Sequence, residues 1–194
     1  DVRAFTAPLK SLPDLAFELE YAKEQNGSLL SSTAWNAQVS YGLSKVKWHP
    51  TLAYRYAFFQ GDNPNTTTNE AFDALLPGFY DWGTWWQGEI AGEYFLANSN
   101  LVSQRLRLSV TPSASLTASL AGYIFRLDNI ASFSPLATSK DLATELDAYA
   151  DWKVDKNFTF SFVLSIAHPQ QAVQEVYDRT QNFQYGMIYL TYAY

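Results

Sequence analysis

Alternation with a period of two, held over segments of about ten residues and repeated along the chain, is the feature that most limits what this sequence can form. In the last such segment Ile188, Leu190, Tyr192 and Tyr194 share one face, and Met187, Tyr189, Thr191 and Ala193 the other. Leu52, Tyr54, Tyr56 and Phe58 alternate with Ala53, Arg55, Ala57 and Phe59. Phe158, Phe160, Phe162, Leu164 and Ile166 alternate with Thr159, Ser161, Val163 and Ser165. The same beat runs through 15–22, 35–43, 105–111 and 145–152. Successive side chains on a strand point to opposite faces, so each segment has an apolar face and a face built mostly of Ser, Thr, Ala and Tyr. The polar face of a soluble sheet would meet bulk water and carry more Lys and Glu. These faces suit the interior of a barrel whose apolar side touches lipid.

Composition supports the same reading. Aromatic residues make up 16% of the 194 and charged residues only another 16%, a balance that fits a lipid-facing wall. No apolar run approaches the roughly 18 residues of a spanning helix, so any membrane crossing falls to strands and helical membrane architectures are excluded. The absence of cysteine permits an oxidising compartment and says nothing about redox chemistry. A formal net charge of −6 argues against nucleic acid as a partner. The sequence opens at Asp1 without a basic stretch and apolar run, which reads as a mature product or a piece of something longer.

The alternating segments are joined by short connections at 11–14, 44–50, 111–115 and 154–157, and by long ones at 23–32, 61–100, 128–140 and 168–180. Short periplasmic turns and long outer loops are the rule for outer-membrane barrels. The expectation is an all-β protein: an antiparallel transmembrane β-barrel of about nine strands over 1–194, with a long extracellular loop at 61–100. Bacterial barrels have even strand numbers, so this reads as the C-terminal part of a larger barrel, completed by an N-terminal segment or another chain. A complete barrel of about eight or ten strands is the alternative. Two segments are less regular. One is 2–7; the other is 115–127, where Tyr123, Ile124 and Phe125 break the beat and a bulge near Gly122 is expected. Thr84 and Gln87 form a capping-box pair, and Trp86, Ile90 and Tyr94 fall on one helical face. The long loop is therefore predicted to hold one short helix, whose Gly88 and Gly92 let its backbone lie against the wall and narrow the pore.

That loop carries Asn69 to Asp73 (NEAFD), the turn Pro77 and Gly78, then Asp81, Trp82 and Gly83 with Trp85 and Trp86. Gly92, Glu93 and Tyr94 follow, and Asn98, Ser99 and Asn100 close it. The stretch resembles the alginate-export family of outer-membrane porins, and the hairpins after it resemble that family's C-terminal half. The resemblance implies a large monomeric barrel of about eighteen strands, roughly half of it present here, in the outer membrane of a Gram-negative bacterium. It also implies transport, since the best-known member exports the polyuronate alginate.

By alternation Arg55, Arg105, Arg107, Glu145, Asp147 and Asp151 point inward. Arg55 and Arg105 flank the long loop on strands expected to pair, so they share a depth; Arg107 lies roughly 7 Å further along. Three guanidinium groups so close repel unless something negative joins them, and Glu145, Asp147, Glu18 and Glu20 are the candidates. One reading is an ion-paired constriction with no ligand. In the other, the arginines offer bidentate contacts to passing carboxylates while the acids keep binding weak enough for release. Trp82, Trp85 and Trp86 are either the core of a folded loop or faces for sugar rings. His49 and His168 are expected at opposite ends of the barrel, and no base stands beside an acid or serine, so no enzyme is expected. Asp73, Asp81, Glu89 and Glu93 offer oxygen ligands for calcium but lack the spacing of a calcium loop; the favoured reading is solvated carboxylates, with no metal or cofactor expected. The function read is a channel passing anionic or polar solutes, a polyuronate such as alginate among them, by passive diffusion. Its partners are membrane lipid and anionic polysaccharide or small anions. The alternative is a non-conducting barrel whose loops bind or anchor at the cell surface.

Overall fold

The computed structural model describes residues 2–5, 12–73 and 87–193. Their strands are β1 (Val2–Phe5), β2 (Leu15–Asn26), β3 (Leu30–Gly42), β4 (Thr51–Phe59), β5 (Leu101–Ser113), β6 (Leu116–Leu127), β7 (Asp141–Lys153), β8 (Phe158–Pro169) and β9 (Phe183–Tyr192). Each pairs antiparallel with the next in sequence, giving one sheet that leaves β1 and β9 as edges among the described residues. A π-helix over Gly88–Leu96 lies in the connection between β4 and β5, and α1 (Gln171–Tyr177) lies between β8 and β9. Among the described residues no helix is long and apolar enough to cross a membrane.

The two faces of the sheet have the inverse of a soluble protein's polarity. One face exposes Phe17, Leu19, Tyr54, Leu106, Leu108, Leu120, Leu146, Leu164 and Ile188. The other buries Asn36, Arg55, Ser103, Arg105, Glu145, Asp147 and Ser165 among small side chains such as Ala57 and Ala121. Phe158 and Phe162 lie on the exposed face, so the phenylalanine stripe of β8 is not packed in a compact core. Aromatic side chains gather toward both ends of the exposed face. Tyr21, Trp35 and Phe58 stand opposite one another on β2, β3 and β4, with Trp35 stacked 5.1 Å from Tyr56. At the other end Trp152 faces Phe160, and Phe158 lies 5.0 Å from Tyr192.

The structure departs from the sequence reading at two places. The connection at 23–32 is not a long loop: β2 continues to Asn26 and β3 begins at Leu30, with Gly27 at φ +56° in the turn. Its polar residues belong to strand, where Ser32 Oγ donates to Glu24 Oε2 at 2.6 Å across the pair. Nor is there a bulge at Gly122, because β5 and β6 stay in register from Leu101 and Leu127 to Val110 and Ala118. Tyr123 and Phe125 simply point inward, stacked at 5.2 Å. The beat fails there because the inner face is itself apolar, with Leu101, Phe125, Leu127 and Leu142 packed in one cluster with Ala91 of the loop helix and Val173 of α1. The irregularity falls further along, where Phe125 pairs with Ala143 and Arg126 with Asp141. That leaves Leu142 as the extra residue and turns it inward beside Ala143.

The long connections are tied together beyond the strands. Asn69 bridges to the β2–β3 turn through Ser31 N–H to Asn69 O (3.0 Å) and Asn69 N–H to Leu29 O (2.9 Å). Glu175 of α1 accepts from both the backbone N–H and the hydroxyl of Thr138, each at 2.6 Å, and from Gln171 Nε2 at 2.8 Å. These bonds hold the Glu175 carboxyl below its ordinary value of 4.5. Its folded pKa is depressed, so this tie is at full strength above the unfolded value and is lost as pH falls through the lower folded one. Amide exchange over 134–139 and 171–177, corrected for intrinsic rate, should accelerate on acidification relative to the strands, and Glu175→Gln should produce the same loosening at neutral pH. Loop protection indifferent to both changes would refute the tie.

Candidate functional site

The pairing register assembles a polar row across the inner face. Glu18 stands opposite Gln38, Gln38 opposite Arg55, Arg55 opposite Arg105, Arg105 opposite Tyr123, and Tyr123 opposite Glu145. Neighbours in such a row are separated by one strand spacing, about 4.8 Å. One inward step toward the short turns, Arg107 lies between Ala53 and Ala121, whose small side chains leave room beside it. Asp147 stands next in that second row, between Ala121 and Ser165.

Within the row the arginines reach acid partly through an amide. Arg105 Nη2 donates to Gln38 Oε1 at 2.6 Å, and Gln38 Nε2 donates to Glu18 Oε2 at 3.3 Å. Arg55 Nη2 lies 3.5 Å from Glu18 Oε1. Glu20, one inward step toward the loops, accepts from Asn36 Nδ2 at 3.3 Å. Arg105 is only 1% exposed and Arg55 4%. Burying a charge at this depth costs several kcal/mol unless hydrogen bonds and opposite charge offset it, and the Gln38 relay with Glu18 supplies part of that offset.

Glu145 and Asp147 do something else. Glu145 Oε1 accepts from Ile90 N–H and Oε2 from Ala91 N–H, both at 2.8 Å. Asp147 Oδ2 accepts from Glu89 N–H at 3.3 Å and from the Tyr149 hydroxyl at 2.8 Å. The sequence reading offered these acids as counter-charges to the arginines; the structure places them under the N-terminus of the loop helix. The first turn of a helix has N–H groups without intrahelical acceptors, and Gln87, which precedes this one, provides no side-chain cap. The wall carboxylates fill that need. Gln87 is thus outside the helix rather than the inner partner of a capping box. Thr84, Trp82, Trp85 and Trp86 lie outside the described residues. Asp151 accepts from the Ser161 hydroxyl, four residues beyond Asp147 toward the short turns.

Two glycines allow the helix to sit where it does. Gly88 has φ +81°, and a Cβ there would stand 2.6 Å from Phe125 Cζ and 3.0 Å from Glu145 Oε1. Gly92 follows Gln87 by five residues, the span across which a π-turn closes, and a Cβ on it would lie 1.9 Å from Gln87 O. The far end is packed by aromatic contacts, Phe95 to Phe183 at 5.2 Å and Tyr94 to Tyr185 at 5.9 Å. Partial burial pushes the Glu93 carboxyl above its ordinary value. At the base of the loop Gly61 N–H donates to Asp128 Oδ2 (2.9 Å), and Asn100 exchanges bonds with Asn129 at 2.9 and 2.6 Å.

The histidines stay apart. His49 Nδ1 lies 2.8 Å from Ser44 O in the β3–β4 turn, and His168 Nδ1 lies 2.8 Å from Asn182 Oδ1 by the β8–β9 connection at the other end of the sheet. Gln38 and Tyr123 belong to the charged row although the sequence reading named neither as a site residue. Gln38 was findable, since its parity on β3 already turned it inward. Replacing Gly88 or Gly92 by Ala should cost about 1–3 kcal/mol of local stability through overpacking, read as faster amide exchange confined to 88–96. Exchange unchanged from the parent would mean that the close approach is not tight.

A family model described as alginate export matches residues 1–186. Comparison with curated proteins gives no match. The match spans the described strands from β1 into β9 and includes every residue of the polar row. The chain belongs to the alginate export family.

Proposed function

We propose that this chain forms wall and constriction of an outer-membrane channel in a Gram-negative bacterium, carrying a polyuronate such as alginate, and other anionic or polar solutes, by passive diffusion. The observation that carries the reading is the facing pair Arg55 and Arg105, with Arg107 one step along, on the face opposite the exposed apolar stripe. Guanidinium forks match carboxylates in a planar, bidentate way. Conduction needs such sites to be weak and serial, and Glu18, already engaged by Arg55 and Gln38, competes with any solute carboxylate. Family membership supports export of polysaccharide as the process.

Dimensions support a membrane span. The row of Phe58 runs through Val102 to Arg126 on β6, and that of Trp152 meets β6 at Leu116. About ten residues at roughly 3.4 Å each, tilted by about 40°, give an apolar band of about 26 Å, close to the height such barrels present to lipid. The N–H and C=O groups along the outer edges of β1 and β9 would each cost several kcal/mol unpaired in hydrocarbon. Further strands therefore complete a larger barrel, of about eighteen strands in our reading. We assign no catalytic role.

A second reading, a non-conducting barrel that binds or anchors at the surface, draws on the burial of Arg105 and on the helix fastened across the inner face. Planar-bilayer recording separates the two. Steady current that falls when uronate oligomers are added supports the channel, whereas silence supports the anchor. Arg105→Ala combined with Arg107→Ala should reduce anion preference in reversal-potential measurements, and unchanged selectivity would remove the arginines from the conduction path. Leu164, 68% exposed at mid-strand, tests the lipid face. Leu164→Arg should destabilise the protein by about 2–4 kcal/mol in bilayer unfolding titrations, while a loss within about 0.5 kcal/mol, ordinary for a water-exposed site, would contradict lipid contact.

A further inference from the structure

We propose that Glu145 and Asp147 are positioning residues: they fasten the loop helix Gly88–Leu96 to the wall and so set how much of the interior it occupies. The consequence for conduction rests on the channel reading above; the fastening does not.

Three consecutive amides, those of Glu89, Ile90 and Ala91, are met by two carboxylates two residues apart on one strand face. Glu145 uses both oxygens, which fixes the helix end in rotation as well as in distance. Tyr149, the next inward residue, donates to Asp147 Oδ2 and holds that carboxylate in place. Each of the three backbone N–H groups is thereby paired with a carboxyl oxygen instead of being buried unsatisfied, which would cost the full desolvation penalty of the group. Gly88 permits the contact, since any side chain at that position would run into Phe125 and Glu145.

The segment is also held elsewhere: Gln87 N–H donates to Asn98 Oδ1 at 3.2 Å within the loop itself, and Ala91 packs in the inner apolar cluster. Its C-terminal end packs through the rings of Phe95 and Tyr94, which fix position without fixing direction. The loop base is held by Asn100, Asn129, Gly61 and Asp128, far along the chain from Ile90. Loss of the carboxyl acceptors of Glu145 and Asp147 would therefore loosen the N-terminal end from β7 while leaving the base closed and the strands paired. These acids act through the helix and not on the solute.

The test uses the full barrel with one nitroxide. The chain has no cysteine of its own, and Glu93 is half-buried and takes part in none of the contacts named above, so Glu93→Cys provides a single label on the helix. With Glu145 and Asp147 intact the label should give an immobilised spectrum. Glu145→Gln with Asp147→Asn should add a mobile component and raise single-channel conductance severalfold, whereas Arg105→Ala with Arg107→Ala should leave the label immobilised. If the double neutral variant does not fold, as judged by its strand circular dichroism, Glu145→Gln alone carries the test with the same expectation. A label as immobile in the neutral variant as in the parent overturns the fastening, whatever the current does. A released label with unchanged conductance overturns the positioning role in the pore. Absence of current from the parent sinks the channel reading, and the label still decides the fastening.

Discussion

A slip of one residue in any of these strand pairings would send Arg55, Arg105 and Glu145 to the side that carries Leu164 and Ile188. Antiparallel register is the constraint on which the rest of the molecule depends, because the two faces have opposite chemistry and side-chain direction alternates without exception along a regular strand. The register holds residue for residue from β2 to β9 except at two places near the sheet ends, Val110/Ser113 and Phe125/Arg126. Both lie away from the row of Arg55 and Arg105. The second serves a local purpose, bringing Leu142 inward where α1 and the loop helix need an apolar floor.

Charge is buried on the inner face in two ways. The arginines of β4 and β5 pass hydrogen bonds sideways to Glu18, one of them through Gln38, so one carboxylate on β2 answers two guanidinium groups. The acids of β7 are answered by backbone N–H groups, which carry no net charge. One strand, β6, separates Arg105 from Glu145 in the row, with Tyr123 between them. The acids of β7 and the arginines of β4 and β5 are thus satisfied by different partners instead of pairing with each other in one cluster.

Much of this was legible from parity alone. Once the apolar stripe is identified, the inward direction of Arg55, Arg105, Arg107, Glu145 and Asp147 follows, and so does the shared depth of Arg55 and Arg105. Three things were not legible, each for a physical reason. Tyr123 and Phe125 looked like a broken strand because alternation reports on contrast between faces, and contrast vanishes where a loop makes the inner face apolar. The polar ends of β2 and β3 looked like a loop because strands that extend past the apolar band lose their hydrophobic signal while keeping their backbone bonds. The partner of Glu145 was hidden because backbone amides have no letter in a sequence; only Gly88 and Gly92 hinted that a backbone comes close.

The direction in which the loop helix points explains why acids hold it. Unfilled N–H groups at a helix N-terminus form a site for carboxylates and phosphates. Left open, two strand spacings from Arg105, that end would offer a further anion site, and on the channel reading proposed above a solute held there as well as by the arginines would leave slowly. A pore requires affinity low enough for release. On that reading Glu145 and Asp147 occupy the helix end with carboxyl groups that cannot diffuse away, so a passing anion would meet guanidinium groups and no vacant helix terminus. The same contact that fixes the helix on the wall would therefore remove from such a pore a backbone feature prone to trap its solute.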